Sequence, residues 1–148
     1  MEILTIKKSI EIDAPKEKVW EVLQEDQYTR NWYAEFKEGS HAVTDWKEGS
    51  KALFLDNEGN GMIGRIITKK PFEIISIEYD GFIMGGVEDY ESEGARATKG
   101  TKETYRLSGT NGKTKLDIES DMGKDWFDSM SEAWDRALEK IKELSRQK

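Results

Sequence analysis

This chain has 30 carboxylates, one histidine and no cysteine, and few of these groups fall where they are expected to converge inside the fold. His41 is the single histidine, and imidazole is the one side chain that titrates near neutrality without perturbation. It follows a Gly39-Ser40 turn at an expected strand start. One reading makes it a general base. The favoured reading makes it an exposed turn-edge residue, because no carboxylate or hydroxyl partner is fixed by spacing. Glu103 shares strand parity with Tyr105 and Leu107. If it points inward, desolvation raises its pKa and suits it to acid or base work. If it lies at the sheet's end, it reaches water or pairs with a cation. Arg65, near Ile63 and Ile67, carries the same ambiguity, and Asp56 reads as hairpin-turn chemistry. Glu103 and His41 are the available catalytic candidates, and no catalytic pair follows from them.

Composition narrows the options further. There is no cysteine, which removes disulfides, thiolate metal sites and cysteine nucleophiles. One histidine cannot build a histidine-rich metal site. Asp56-Asn57-Glu58 lacks the remaining ligands of a calcium loop. Gly59-Asn60-Gly61 and Gly85-Gly86 are followed by no Gly-Lys-Ser/Thr, so they make no phosphate loop. Neither a metal nor a cofactor is expected. The net charge of −7 argues against nucleic acid, which calls for a basic stripe, and against an anionic membrane surface. At 148 residues and 36% hydrophobic content, the chain suits one domain over residues 1–148. No run approaches the ~18 apolar residues of a membrane span, and the N-terminus lacks the pattern of a signal peptide. A soluble cytoplasmic protein is the expectation.

The elements that must position these residues show in the periodicity. Leu4, Ile6, Ile10 and Ile12 recur every second residue, as in a half-buried strand. Lys8 interrupts them, which predicts a bulge or a sheet edge. Asp13 reads as a helix cap and Pro15 as a first-turn residue. Asp26 reads as the cap of a second short helix through Tyr28 and Trp32. Strands are expected over His41 to Trp46, Ser50 to Asp56, Met62 to Lys70 and Phe72 to Tyr79. Thr101 to Gly109 and Lys113 to Ser120 form a hairpin around Asn111-Gly112. Gly81 to Gly100 is expected to be a long loop acting as a lid or a disordered tip, although Phe82, Ile83 and Met84 are apolar enough to pack. A helix from about Lys124 to Arg146 carries Phe127, Met130, Trp134, Ala137, Leu138, Ile141 and Leu144 at helical spacing. Its acids come first and its bases last, which complements the helix dipole.

The order is one strand, two short helices, about six strands and a long helix. The chain starts Ile12-Asp13-Ala14-Pro15-Lys16-Glu17-Lys18-Val19-Trp20-Glu21-Val22-Leu23 and ends Glu132-Ala133-Trp134-Asp135-Arg136-Ala137-Leu138-Glu139-Lys140-Ile141-Lys142-Glu143-Leu144. In this it resembles the START-like, or birch-pollen-allergen-like, helix-grip superfamily (SRPBCC) along essentially its whole length. Within that group it looks most similar to small proteins like the C-terminal domain of the activator of the heat-shock-protein-90 ATPase. The resemblance implies an α+β helix-grip fold, in which a curved antiparallel sheet of six to seven strands wraps around the long C-terminal helix.

It also implies a binding scaffold whose members take different apolar molecules or protein partners, so fold does not settle function. In that layout Phe127, Met130 and Trp134 on the helix face Tyr105, Leu107, Leu116 and Ile118 on the strands, with Tyr79 nearby. Trp32 and Tyr33 stand near one entrance, and Phe82 begins the long glycine-rich segment. These residues either line a ligand pocket or fill the core. The favoured expectation is a small hydrophobic or aromatic ligand, bound without catalysis between helix and sheet. The alternatives are a polyketide cyclase- or hydrolase-like enzyme and, by analogy alone, a chaperone co-factor. A monomer is expected, with a weak dimer through an edge strand as the variant.

Overall fold

The computed structural model describes residues 2–147. Its elements run β1 (Ile3–Ile12), α1 (Lys16–Gln24), α2 (Asp26–Tyr33), β2 (His41–Val43), β3 (Lys51–Leu55), β4 (Gly61–Lys70) and β5 (Ile74–Met84). They continue with β6 (Val87–Asp89), α3 (Glu93–Thr98), β7 (Lys102–Thr110), β8 (Lys113–Gly123), a 3₁₀ turn at Lys124–Trp126 and α4 (Phe127–Arg146). The strands form one antiparallel sheet in the order β1-β8-β7-β5-β4-β3-β2, with β6 paired to β5. This is the α+β helix-grip architecture.

The long helix is held by its apolar stripe. Trp134, Ala137, Leu138, Ile141 and Leu144 are all buried. They join a core with Ile6 and Ile12 of β1, Leu107 of β7, and Leu116 and Ile118 of β8. Val19, Trp20, Val22 and Leu23 bring the buried face of α1 to the same core.

Several local expectations need correction. Lys8 makes no bulge, since the β1–β8 register runs unbroken through Lys8 opposite Ile118. It does lie on an edge strand, and its ammonium reaches Asp135 on α4 at 2.6 Å. The aliphatic stem thus follows the inner face while the charge reaches water. Neither expected helix cap forms. Pro15 and Glu25 hold the cap positions of α1 and α2, and neither makes a side-chain cap bond. The strand expected over His41 to Trp46 stops at Val43, because Trp46 turns the chain with a φ of 60°. Phe72 likewise takes a φ of 67°, so β5 starts two residues later than expected.

The largest difference is the segment from Gly81 to Gly100. It is not a long structureless loop. β5 continues to Met84, Gly85-Gly86 turn at positive φ, and β6 pairs back through Phe82 opposite Asp89. Ser92 then caps α3 by accepting the backbone N–H of Ala95 at 3.2 Å. The glycines misled because each serves a different purpose. A Cβ at Gly81 would sit 2.5 Å from the carbonyl oxygen of Asp89, so this glycine permits close strand approach inside the sheet. Gly81→Ala is therefore expected to cost about 1–3 kcal/mol and to loosen β6 first. Amide hydrogen exchange over residues 82–89 checks this.

β5 also carries a bulge. Gly64 pairs with Tyr79 while Ile63 pairs with Gly81, which leaves Asp80 as the extra residue. A bulge reverses the parity of everything beyond it. Tyr79 before it and Phe82 and Met84 after it consequently share one face. Ile83 turns to the opposite face, where Ile63 and Ala95 of α3 are buried apart from the main core.

Candidate functional site

A cavity of about 510 Å³ lies beside the N-terminal half of α4, within the ~300–1,000 Å³ typical of small-molecule sites. Trp32 and Tyr33 of α2 and Met130 and Trp134 of α4 form one side. Phe54, Met62, Tyr79, Phe82, Met84 and Tyr105 form the sheet side. The rings make a connected network of edge-to-face and tilted contacts. Trp134 stands 4.9 Å from Phe36, 5.9 Å from Tyr105 and 6.2 Å from Trp32, centroid to centroid. Phe54 lies 5.8 Å from Tyr79 and 6.4 Å from Tyr33.

The polar groups are few and unevenly placed. Trp32 donates its indole N–H to the carbonyl of Val22 at 2.9 Å, which fixes that ring against α1. The buried indole N–H of Trp134 has no partner. At the mouth, Asp56 accepts backbone N–H groups of Glu58 and Asn60 at 2.8 and 3.0 Å. It also takes the Lys37 ammonium at 2.6 Å. Lys37 and those backbone donors hold the Asp56 carboxyl down at about 2. The turn role expected of Asp56 thus also shapes the cavity rim. His41 lines the same rim and its Nδ1 lies 3.0 Å from the carbonyl oxygen of Gly39.

Glu103 is the one acid on the inner wall. Its Oε2 accepts the Tyr105 hydroxyl at 2.6 Å, and its Oε1 takes a long 3.4 Å contact from the Ser120 hydroxyl. Burial pushes its carboxyl above the usual range, and hydrogen bonds from Tyr105, Tyr79 and Ser120 oppose that shift only in part. Burial and the nearby carboxyl together push the hydroxyls of Tyr33, Tyr79 and Tyr105 upward. They therefore stay protonated at neutral pH.

A carboxyl whose folded-state pKa is raised destabilises the fold when pH climbs past its unfolded value, because the unfolded chain gives up the proton first. Glu103→Gln keeps the shape and an acceptor for Tyr105 while removing that ionisation. The variant is expected to melt higher than the parent near pH 8, and to differ little near pH 4. Thermal unfolding followed by circular dichroism at both pH values checks the sign.

Of the residues singled out in the sequence, Trp32, Tyr33, His41, Tyr79, Phe82, Glu103, Tyr105, Met130 and Trp134 come together on this cavity. Leu107, Leu116 and Ile118 do not. They are 7%, 0% and 1% exposed and belong to the packed core. Phe127 opens α4 and packs on the core, but does not line the cavity. Arg65 points outward to Asp80 at 3.7 Å. Sequence reasoning missed Phe36, Phe54, Met62 and Met84. Phe36 lies four residues after Trp32, and Phe54 alternates with the fully buried Ala52. Both signals were present. Met84 could not be found this way, since its face depends on the bulge at Asp80.

An antiparallel sheet gripping a long C-terminal helix, with a ring-lined cavity at one end, defines a helix-grip protein. The family model for activator of Hsp90 ATPase homolog 1-like protein matches residues 13–146, and the chain belongs to that family. Solved structures agree on the fold. Protein MLL2253 from Mesorhizobium loti superposes with a TM-score of 0.72 at 16% identity, covering 95% of this chain and 96% of its own. The Aha1 dimer from Colwellia psychrerythraea gives 0.69 at 16%, covering 96% of each chain. CalU16 from Micromonospora echinospora gives 0.67 at 18%, covering 96% of this chain and 76% of its own. No curated protein matches the chain. Among the described residues, no helix is long and apolar enough to cross a membrane and no group of acids and histidine is placed to hold a metal.

Proposed function

We propose that this protein binds a small apolar or aromatic molecule in the cavity between α4 and the sheet. The observation that carries the reading is an open, ring-lined space of about 510 Å³ in a chain that could have filled it. Apolar rings left facing an open cleft forgo the roughly 25 cal/mol per Å² that burial would bring, so an occupant that covers them gains that stabilisation. Three of the lining residues, Met62, Met84 and Met130, are methionines. Their soft, unbranched side chains adapt to ligands of differing outline.

An amide-proton NMR titration against sterols, fatty acids, flavonoids and polyketide-like aromatics tests this. Saturable shifts at Trp32, Tyr33, Tyr79, Tyr105, Met130 and Trp134, with the opposite face of the sheet unmoved, are expected. Shifts confined to that opposite face would overturn the reading.

A specific observation also supports an acid-catalytic use of the same cavity. Glu103 is hydrogen-bonded to Tyr105 on the cavity wall, and burial raises its pKa, the direction that favours a general acid. In that case Glu103→Gln keeps binding and loses turnover. The chaperone co-factor reading has less support. It calls for an apolar patch on the outer sheet face, whereas that face carries the polar pairs Thr5–Asp121, Ser9–Asp117 and Ser76–Thr104.

A further inference from the structure

We infer that the occupant of this cavity carries a positively charged amine on its apolar body, and that the amine sits against Glu103 beside Tyr33, Tyr79 and Tyr105. The inference rests on the binding reading above and names the charge of the ligand. Three observations lead to it. First, Glu103 makes no ion pair among the described residues, although it has the only carboxylate on the inner wall. Lys37, the cation at the rim, is already held by Asp56 at 2.6 Å.

Second, three tyrosines from different elements converge on the carboxyl, and the Tyr105 hydroxyl donates to it. Tyr33 comes from α2, Tyr79 from β5 and Tyr105 from β7. Ring faces attract cations, most strongly where water is excluded. A buried carboxylate together with such rings matches an organic ammonium in both charge and shape. A carboxylate ligand would instead gain no ion pair there. Third, the chain's net charge of −7 favours the approach of cations over anions.

Ionic binding is linked to the proton on Glu103. The titratable groups facing it are Tyr33, Tyr79 and Tyr105. β8 adds the neutral Ser120, and α4 faces the cavity with Met130 and Trp134. Without ligand, burial favours the protonated acid. An arriving ammonium favours the carboxylate, so the carboxyl proton leaves to solvent as the ion pair forms.

The test uses three probes with one body: naphthylmethylamine, naphthylmethanol and naphthoic acid, titrated calorimetrically into the whole protein. The amine is expected to bind about tenfold more tightly than the alcohol. The acid is expected to bind most weakly. Glu103→Gln should bring the amine down to the affinity of the alcohol. A cooperative thermal melt of the variant shows that it is folded. An amine that binds no more tightly than the alcohol, or not at all, overturns the inference. The cavity reading survives that result if the alcohol binds, and fails with it if no neutral probe produces shifts in the NMR panel.

Discussion

Trp134→Ala is expected to lower stability by about 3–5 kcal/mol and the melting temperature by roughly 10 °C. The ring is 1% exposed and touches Trp32, Phe36 and Tyr105 at once. Its removal would join its own volume to an existing cavity, and the surrounding rings cannot collapse across both. Against the 5–15 kcal/mol that ordinary domains have in total, the loss is a large fraction. Urea unfolding gives the number directly. Trp126 provides the contrast. It stands 64% exposed just before α4, and Trp126→Ala should change stability by no more than about 0.5 kcal/mol. Equal effects at the two positions would mean that α4 does not seat on the sheet as described.

The second large effect should fall on binding instead of stability. Met130 lies one turn before Trp134, lines the cavity and is only half-buried. Met130→Trp would place a rigid ring into the free space without displacing core atoms. Ligand affinity is expected to fall by at least about tenfold, the equivalent of ~1.4 kcal/mol. The melting temperature of the free protein should stay level or rise as the void fills. Calorimetric titration with the best binder from the NMR panel, beside a thermal melt, separates the two quantities. Unchanged affinity would place the ligand elsewhere.

The parts of this architecture that repeat locally were legible in the residues. The period-two run of β1, the β7–β8 hairpin around Asn111-Gly112 and the apolar stripe of α4 each state their geometry within a few residues. Tyr105 and Trp134 are legible as cavity rings because each belongs to such an element. What failed depended on longer range. The bulge at Asp80 arises from the mismatch between β4 and β5, and no local pattern announces it, so the face of Met84 is not legible. Gly81 reads as loop punctuation, yet it is a close approach to the Asp89 backbone that local spacing does not reveal. Leu107, Leu116 and Ile118 have the right parity for an inner face. Parity alone cannot distinguish the part of that face which α4 covers from the part left open.

The methionine methyl groups give the most direct test of the central claim. Met62, Met84 and Met130 line the cavity, whereas Met122 packs on the core outside it. In a protein labelled at its methionine methyls, an apolar aromatic ligand should shift the first three signals saturably and leave Met122 in place. Shifts at Met122 with the other three unmoved, under conditions where the ligand demonstrably binds, would contradict the account.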